Sequence, residues 1–164
     1  MRFHFMFARG AGPSFFRMCV ALMLVSSANA QERYAASADG QEIIDSKTGL
    51  IWRRCVEGMG WKKNTCIGKA SFVNQADAAA LAKAAGGEWR LPVLRELSGI
   101  VAVREAEEGK ASIDPRAFPG TPPARFWTGS SVGTGYFMFV AFTEGSAGEG
   151  ARNSPGAVRL VRDK

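Results

Sequence analysis

The stretch from Gly49 to Gly68, GLIWRRCVEGMGWKKNTCIG, decides how this 164-residue chain is interpreted, because it holds two of the three cysteines. Those two are Cys55 and Cys66, and we read the residues between them as a glycine-punctuated loop closed by a disulfide. Two of the four tryptophans lie in or beside this loop, at Trp52 and Trp61. Large aromatic side chains next to a disulfide are typical of a corner of the core.

The N-terminal segment has the pattern of a secretory signal peptide. Arginines at positions 2, 9 and 17 precede or adjoin an apolar run, and the small-residue triplet Ala28-Asn29-Ala30 follows it. The run from Met18 to Val25 is far shorter than the roughly 18 residues that a membrane helix needs, so a retained anchor is the less favoured interpretation. We therefore predict a signal peptide over residues 1–30 and one exported domain, without a membrane span, over residues 31–164.

Removal of residues 1–30 changes both the charge and the available chemistry. The removed segment contains three arginines and no acidic residue, so the count changes from 21 basic and 15 acidic residues to 18 and 15. This surplus of positive charge is too small to predict a nucleic-acid partner. The only histidine, His4, leaves as well, which excludes Ser-His-Asp, Cys-His and His-ligated zinc sites. The acidic residues form no dense group outside positions 105–108, so we predict neither a metal site nor a cofactor.

The cysteine count in the predicted mature chain favours pairing. Cys19 lies in the predicted signal peptide, and two cysteines in an exported chain form a disulfide by default. The chain-entropy estimate for so short a loop is about 3 kcal/mol of stabilisation. A redox-active or catalytic thiol is the alternative, but there is no Cys-x-x-Cys spacing and no histidine partner.

The rest of the chain predicts a mixture of strands and helices. Residues 41–45 and 50–54 read as a β-hairpin, and residues 31–38 as a loose lead-in. An alanine-rich helix is expected over residues 69–85, ending at Gly86-Gly87, and a second helix from Pro92 to about Val103. Strands are predicted at residues 126–128, 136–142 and 157–162, and a flexible glycine-rich loop over residues 145–156. The second strand is apolar on both faces, which predicts that it is central to its sheet or covered on both sides.

Several short motifs, taken in order, resemble the Lcl C-terminal domain family. This is a domain of largely unknown function, found in bacterial exported proteins and named after a collagen-like adhesin. The matching motifs are Thr48–Cys55, Gly58, Trp61, Thr65–Gly68, Trp89-Arg90-Leu91-Pro92 with Glu96-Leu97, Ile113-Asp114, Ala117-Phe118-Pro119, Phe126–Ser131 and Val158–Arg162. The resemblance implies a C-type-lectin-like α+β fold, with a small antiparallel sheet flanked by two helices and one disulfide.

Similarity to an adhesin's terminal domain suggests an exported binding module for carbohydrate or another polyanion, at the cell surface or in the periplasm. The residues that would serve are the basic ones around the predicted disulfide, Arg53, Arg54, Lys62, Lys63 and Lys69. Guanidinium and ammonium groups pair with sulfate, so these five are our candidate ligand-binding residues. The alternative interpretation of the cluster is a solvated basic loop.

Two other function classes remain open from the sequence. A structural or protein-interaction module without a small ligand would use aromatic residues such as Trp127 at an interface, for example in a homo-oligomer. An enzyme is disfavoured: the formylglycine-generating enzymes share the broad fold but depend on cysteine chemistry, and we predict no catalytic residue here. Trp89-Arg90-Leu91-Pro92 reads instead as a core anchor, whose arginine would pair with Glu96 or Asp114.

Overall fold

The protein contains three antiparallel sheets and two helices within the residues that the structure describes. That structure is a computed structural model, and it describes residues 32–102 and 109–164. The predicted signal peptide and the acidic residues Glu105, Glu107 and Glu108 lie outside the described residues. The strands are β1 Tyr34–Ala36, β2 Glu42–Asp45, β3 Ile51–Arg53, β4 Met59–Lys62, β5 Thr65–Gly68, β6 Arg125–Ser131, β7 Tyr136–Ala141, β8 Ser146–Ala151 and β9 Val161–Arg162. The helices are α1 Gln75–Ala85 and α2 Leu94–Gly99.

The first sheet joins the beginning of the described chain to its end. Its strand order is β1-β2-β3-β9, and every neighbouring pair is antiparallel. The predicted β2–β3 hairpin is confirmed, with Ile43 opposite Trp52. The loose lead-in is wrong, because β1 forms there. The guanidinium of Arg33 donates to both carboxylate oxygens of the buried Asp45 at 2.9 and 2.6 Å, and this ion pair ties β1 to the end of β2.

Both helices are confirmed, but each is shorter than predicted. α1 begins only after Asn74, whose side chain accepts a hydrogen bond from the Asp77 N–H at 2.9 Å and caps the helix. The residues before it do not join the helix because Val73 pairs with Gly156 in an isolated β-bridge. α2 ends at Gly99 because Val101 pairs with Ile113, whereas the predicted end at Val103 lies outside the described residues.

The third sheet, β6-β7-β8, has β7 at its centre, as predicted. The predicted flexible loop over residues 145–156 is wrong, since β8 pairs with β7 along six residues. Its glycines serve packing: a Cβ on Gly148 would lie 2.7 Å from the Phe139 ring, and one on Gly150 would lie 2.9 Å from the Trp127 ring. Glycine here marks the close approach of aromatic rings to a strand.

The prediction of a single small sheet is corrected to three sheets, of which the first and the third are connected by the closing segment, residues 156–161. This segment is buried throughout but forms a strand only from Val161, so the predicted strand over 157–162 is too long. Its earlier residues bond to several elements in turn, with Ala157 accepting from the Trp127 N–H and Leu160 from the Arg53 N–H. Because its backbone groups are divided among elements, no continuous sheet forms.

The core consists of two clusters of buried side chains, and the closing segment contributes residues to both. One cluster is built on large side chains from the first sheet, α2, the segment between α2 and β6, and the third sheet. It includes Trp52, Leu97, Phe118, Phe126 and Phe142. The other lies under α1 and includes Ala78, Ala82, Trp127, Val158 and Leu160. Within the described residues, no helix combines the length and hydrophobicity needed to cross a membrane.

Candidate functional site

The Cys55–Cys66 disulfide is formed, as predicted, but the stretch that it closes is a β-hairpin rather than a loop. β4 and β5 pair with Trp61 opposite Cys66 and Lys62 opposite Thr65. The two residues between them, Lys63 and Asn64, both have positive φ, 53° and 60°. Two central residues with positive φ define a type I′ turn, whose twist matches that of an antiparallel hairpin. The basic residues therefore lie on a regular, cross-linked element.

The indole of Trp61 attaches this hairpin to the rest of the domain. The Arg54 guanidinium lies over the Trp61 ring, with its carbon 4.0 Å from the ring centroid. A Cβ added to Gly40 would lie 2.5 Å from the indole nitrogen, so only glycine allows this contact. The indole thus packs against the turn that precedes β2. Its contacts orient the hairpin relative to the first sheet.

The two arginines of the predicted basic cluster are engaged in the fold. Arg54 donates to the carbonyl oxygens of Ala117, Gly40 and Arg116 at 3.1, 3.3 and 2.9 Å, and burial lowers the pKa of its guanidinium below the usual value. The Arg53 guanidinium lies 4.8 Å from the centroid of the Trp89 ring, and its Nε is buried without a hydrogen-bond partner. Both guanidinium groups are therefore partly committed to contacts within the domain, unlike free surface cations.

The three lysines of the same cluster have the opposite environment. Lys62, Lys63 and Lys69 are exposed, and none forms an ion pair within residues 32–102 and 109–164. Exposure alternates along β4, which puts Lys62 on the face opposite Trp61. Lys63 occupies the turn, and Lys69 follows the last residue of β5. The structure thus separates the five predicted residues into two arginines that build the hairpin's base and three solvated lysines.

The Trp89-Arg90-Leu91-Pro92 motif forms an anchor, as predicted. Arg90 donates to both carboxylate oxygens of Glu96, at 2.8 and 2.9 Å, which confirms Glu96 as its partner. The alternative partner, Asp114, is wrong, because it pairs with Arg116 at 3.4 Å. Burial tends to raise the pKa of Glu96, but the hydrogen bonds from Arg90 and the Val93 N–H outweigh burial and hold that pKa below its usual value. The motif therefore stays ion-paired at neutral pH.

The remaining singled-out tryptophans lie in the core. Trp52 is fully buried, and Trp127 is nearly so, with its indole N–H donating to the Val73 carbonyl oxygen at 2.9 Å. Pro92 is also buried, and its carbonyl oxygen accepts from the Gly129 N–H at 2.9 Å. The two tryptophans and Pro92 therefore serve packing and hydrogen bonding within the domain.

A model of the Lcl C-terminal domain matches residues 41–162 of the chain. The chain belongs to the Lcl C-terminal domain family. The match begins just before β2 and ends with β9, so it contains the hairpin, both helices and all three sheets apart from β1. A search of curated protein sequences finds no match. The disulfide of this Lcl C-terminal domain fits an oxidising location outside the cytoplasm.

One residue that the sequence analysis missed, Arg159, is a fully buried cation in the Lcl C-terminal domain. It donates to the carbonyl oxygens of Arg53 and Arg54 and, at 2.7 Å, to the Thr121 hydroxyl. Burial lowers the pKa of Arg159 to about 9, while the nearby Glu57 opposes that shift, so the guanidinium keeps its charge at neutral pH. Its signal in the sequence is a single charged residue inside the apolar closing run.

Arg159 contributes to the candidate site indirectly, by holding the backbone at the base of the disulfide. The two carbonyls that it binds belong to the residues immediately before Cys55. Burial raises the pKa of Glu57, which lies two residues after Cys55. Among the described residues, no three His, Cys, Asp or Glu side chains converge as a metal site would require.

Proposed function

We propose that this Lcl C-terminal domain is an exported, non-enzymatic binding module that holds acidic or sulfated glycan chains through the exposed lysines of its β4–β5 hairpin. The observation that supports the proposal is the contrast within the basic cluster. Two arginines are used internally, whereas Lys62, Lys63 and Lys69 are exposed without an acidic partner in the described chain. A cross-linked hairpin holds these ammonium groups together at little cost in backbone entropy on binding.

Binding through lysines alone differs from binding through arginines in the geometry of its contacts. An ammonium group is a compact, strongly hydrated point charge, whereas a guanidinium forms planar, bidentate contacts. We therefore expect the hairpin to recognise charge density more than sugar identity, with affinity that falls as salt screens the lysines. Such a module would retain a polyanion at the cell surface or in the periplasm.

The fold that we propose for this module is C-type-lectin-like. Support comes from the first sheet, where β9 at the end of the chain pairs with β3 near its beginning. Further support comes from the two helices and from the hairpin attached by a disulfide. Fold alone does not imply sugar binding, so the functional proposal depends on the lysines.

Retention on a heparin column tests the proposal. The oxidised protein is compared with the double variant Lys62→Glu/Lys63→Glu. The matched control is Lys47→Glu/Lys164→Glu, which changes the net charge by the same amount at two exposed lysines outside the hairpin. We expect the hairpin variant to elute at much lower salt than the control. Equal elution of the two variants would mean that net charge, rather than the hairpin, determines retention.

A glycan and glycosaminoglycan array, read at low and at high salt, identifies the ligand class. We expect signals on sulfated chains at low salt that decrease strongly at high salt. Absence of signal across the array would favour a structural or protein-interaction module. Light scattering would then show whether the domain forms a homo-oligomer, as that alternative allows.

A further inference from the structure

A cleft of about 510 Å³ lies between β1, the end of α2 and the segment around residues 114–117. Its apolar lining includes Ile43 and Ile100, which belong to the main core, and Ala117. Its polar lining consists of three arginines, two carboxylates and one tyrosine, namely Arg33, Arg54, Arg116, Glu32, Asp114 and Tyr34. This volume falls within the roughly 300–1,000 Å³ of typical small-molecule sites.

The arginines of the cleft retain hydrogen-bonding capacity. A guanidinium has five N–H donors. Arg33 uses its Nε and one terminal nitrogen on Asp45 and Gly99, which leaves the other terminal nitrogen unbonded in the described chain. Arg54 makes three hydrogen bonds, one from each nitrogen, which leaves one N–H on each of its two terminal nitrogens without a partner there.

Arg54 is also the arginine of this cleft whose charge is least compensated. Arg33 is neutralised by Asp45, and Arg116 pairs with Asp114. All three hydrogen-bond partners of Arg54 are backbone carbonyls, so no carboxylate among the described residues balances its charge. Partial burial lowers the pKa of Arg54, which indicates that the cation is incompletely solvated. An anion bound beside it would offset this cost.

Tyr34 adds a neutral hydrogen-bond donor to the cleft wall. Its ring is half-buried, lies edge-on to Phe118 with the centroids 5.3 Å apart, and carries the Arg33 guanidinium 4.6 Å from its centroid. Its hydroxyl has no hydrogen-bond partner within residues 32–102 and 109–164. Burial raises the pKa of Tyr34 to about 12, so the phenol stays protonated at neutral pH.

We propose that this cleft is a second binding site, separate from the lysine hairpin, for a small molecule that carries one carboxylate on an apolar body. The apolar lining accommodates the body, and the unused N–H groups of Arg33 and Arg54 are the donors for the carboxylate. A singly charged ligand fits better than a polysulfated one, because in the described lining Glu32 and Asp114, together with Asp45 paired to Arg33, offset most of the charge of the three arginines. This inference does not rest on the proposed function.

Benzoate and benzamide are matched probes for the cleft, since they have nearly the same shape and differ in charge. Binding to the oxidised protein is measured by ligand-observed NMR titration. We expect benzoate to bind roughly tenfold more tightly than benzamide, as expected for charge-assisted hydrogen bonds. Equal affinity for the two probes, or no saturable binding of benzoate, would show that the cleft is not a carboxylate site.

Two conservative variants place the probe in the cleft. Arg116→Gln removes a cation of the lining whose side chain is 82 % exposed, and Tyr34→Phe removes only a hydroxyl group. Arg95→Gln, on the exposed surface of α2 and outside the cleft, is the control. We expect weaker benzoate binding in Arg116→Gln or Tyr34→Phe and unchanged binding in Arg95→Gln and in Lys62→Glu/Lys63→Glu. Wild-type affinity in both cleft variants would place benzoate elsewhere and overturn the proposal.

Discussion

The β4–β5 hairpin and the β6–β7–β8 sheet are both antiparallel, yet different forces hold them. Of the eight strand residues in the hairpin, Cys66 is the one that is buried, and its disulfide and the Trp61 contacts connect the hairpin to the domain. In the larger sheet, Phe126, Trp127 and Val140 are buried, and the Phe126 ring meets Phe142 edge-on, 5.0 Å between centroids. The sheet is therefore stabilised mainly by burial, whereas the hairpin depends on its disulfide, on the Trp61 contacts and on Met59, which packs against the main core cluster.

This difference explains how one small domain can hold exposed charges in fixed positions. A hairpin of two strands is at best marginally stable by itself in water. Covering it with apolar residues would hide its surface, whereas a disulfide stabilises it and leaves Lys62 and Lys63 in solvent. The following substitutions test the comparison, from the largest expected change in the free energy of unfolding to the smallest.

Phe126→Ala tests the contribution of burial to the β6–β7–β8 sheet. The side chain is fully buried, so its removal is expected to cost about 3–5 kcal/mol, measured by urea unfolding. The control is Tyr136→Ala in the same sheet, where half of the side chain is exposed and the expected cost is below about 1 kcal/mol. Similar losses in the two variants would contradict the view that burial stabilises this sheet.

Replacing both cysteines by serine tests the covalent contribution to the hairpin. The bridged residues are 11 positions apart, and the chain-entropy model predicts a loss of about 3 kcal/mol. Because the large core clusters do not depend on the bond, near-UV circular dichroism of the folded variant should still report packed aromatic residues. Loss of that signal under native conditions would show that the bond stabilises the whole domain.

Asp45→Asn tests the ion pair that connects β1 to β2, away from both regions. Burial tends to raise the pKa of Asp45, but the hydrogen bonds from Arg33 and the Lys47 N–H outweigh it and hold the pKa below its usual value. A carboxyl group with a lowered folded pKa stabilises fully above its unfolded value of about 3.9, and this contribution is lost as the pH falls through the folded value.

We therefore expect the wild-type free energy of unfolding to decrease below about pH 4, and Asp45→Asn to lose about 2 kcal/mol at neutral pH with a flatter acid dependence. Urea unfolding at a series of pH values measures both. Glu149→Gln, at an exposed position of β8, is the control and should retain the wild-type pH dependence. If Asp45→Asn kept the wild-type acid dependence, the loss of stability at low pH would be due to carboxylates other than Asp45.

Lys62→Glu/Lys63→Glu is expected to have the smallest effect on stability, within about 0.5 kcal/mol, because both side chains are exposed. Thermal unfolding of the variant used for heparin chromatography measures it directly. A large loss of stability would mean that these lysines support the hairpin itself, and the loss of heparin retention would then require another explanation.

Much of the architecture was predictable from local patterns in the sequence. Two short apolar runs joined by turn residues predict the β2–β3 hairpin, a run that is apolar on both faces predicts the central strand β7, and Gly86 marks the end of α1. The paired cysteines follow from an even count in a chain with a signal-like start. These features are local or compositional, so they are visible without knowledge of the fold. The family resemblance rests on the same motifs, and the match over residues 41–162 confirms it.

The errors fall where distant contacts decide local structure. Residues 145–156 have the composition of a flexible loop, yet they contain the strand β8. Its glycines leave room for the Trp127 and Phe139 rings, which pack against the strand. The start of α1 is set by the pairing of Val73 with Gly156, more than 80 residues away. Helix and strand propensities describe single residues in their local context, so they carry no information about such long-range partners.

The sequence by itself determined that Gly49 to Gly68 is a basic, cysteine-paired, tryptophan-containing stretch, because residue types and spacing are enough for that. Only the tertiary structure decided which of its cations are exposed. Arg53 and Arg54 lie against Trp89 and Trp61, whereas the lysines remain in solvent. Charge is a property of the residue, but its availability depends on burial and hydrogen-bond partners, which chain segments distant in sequence supply.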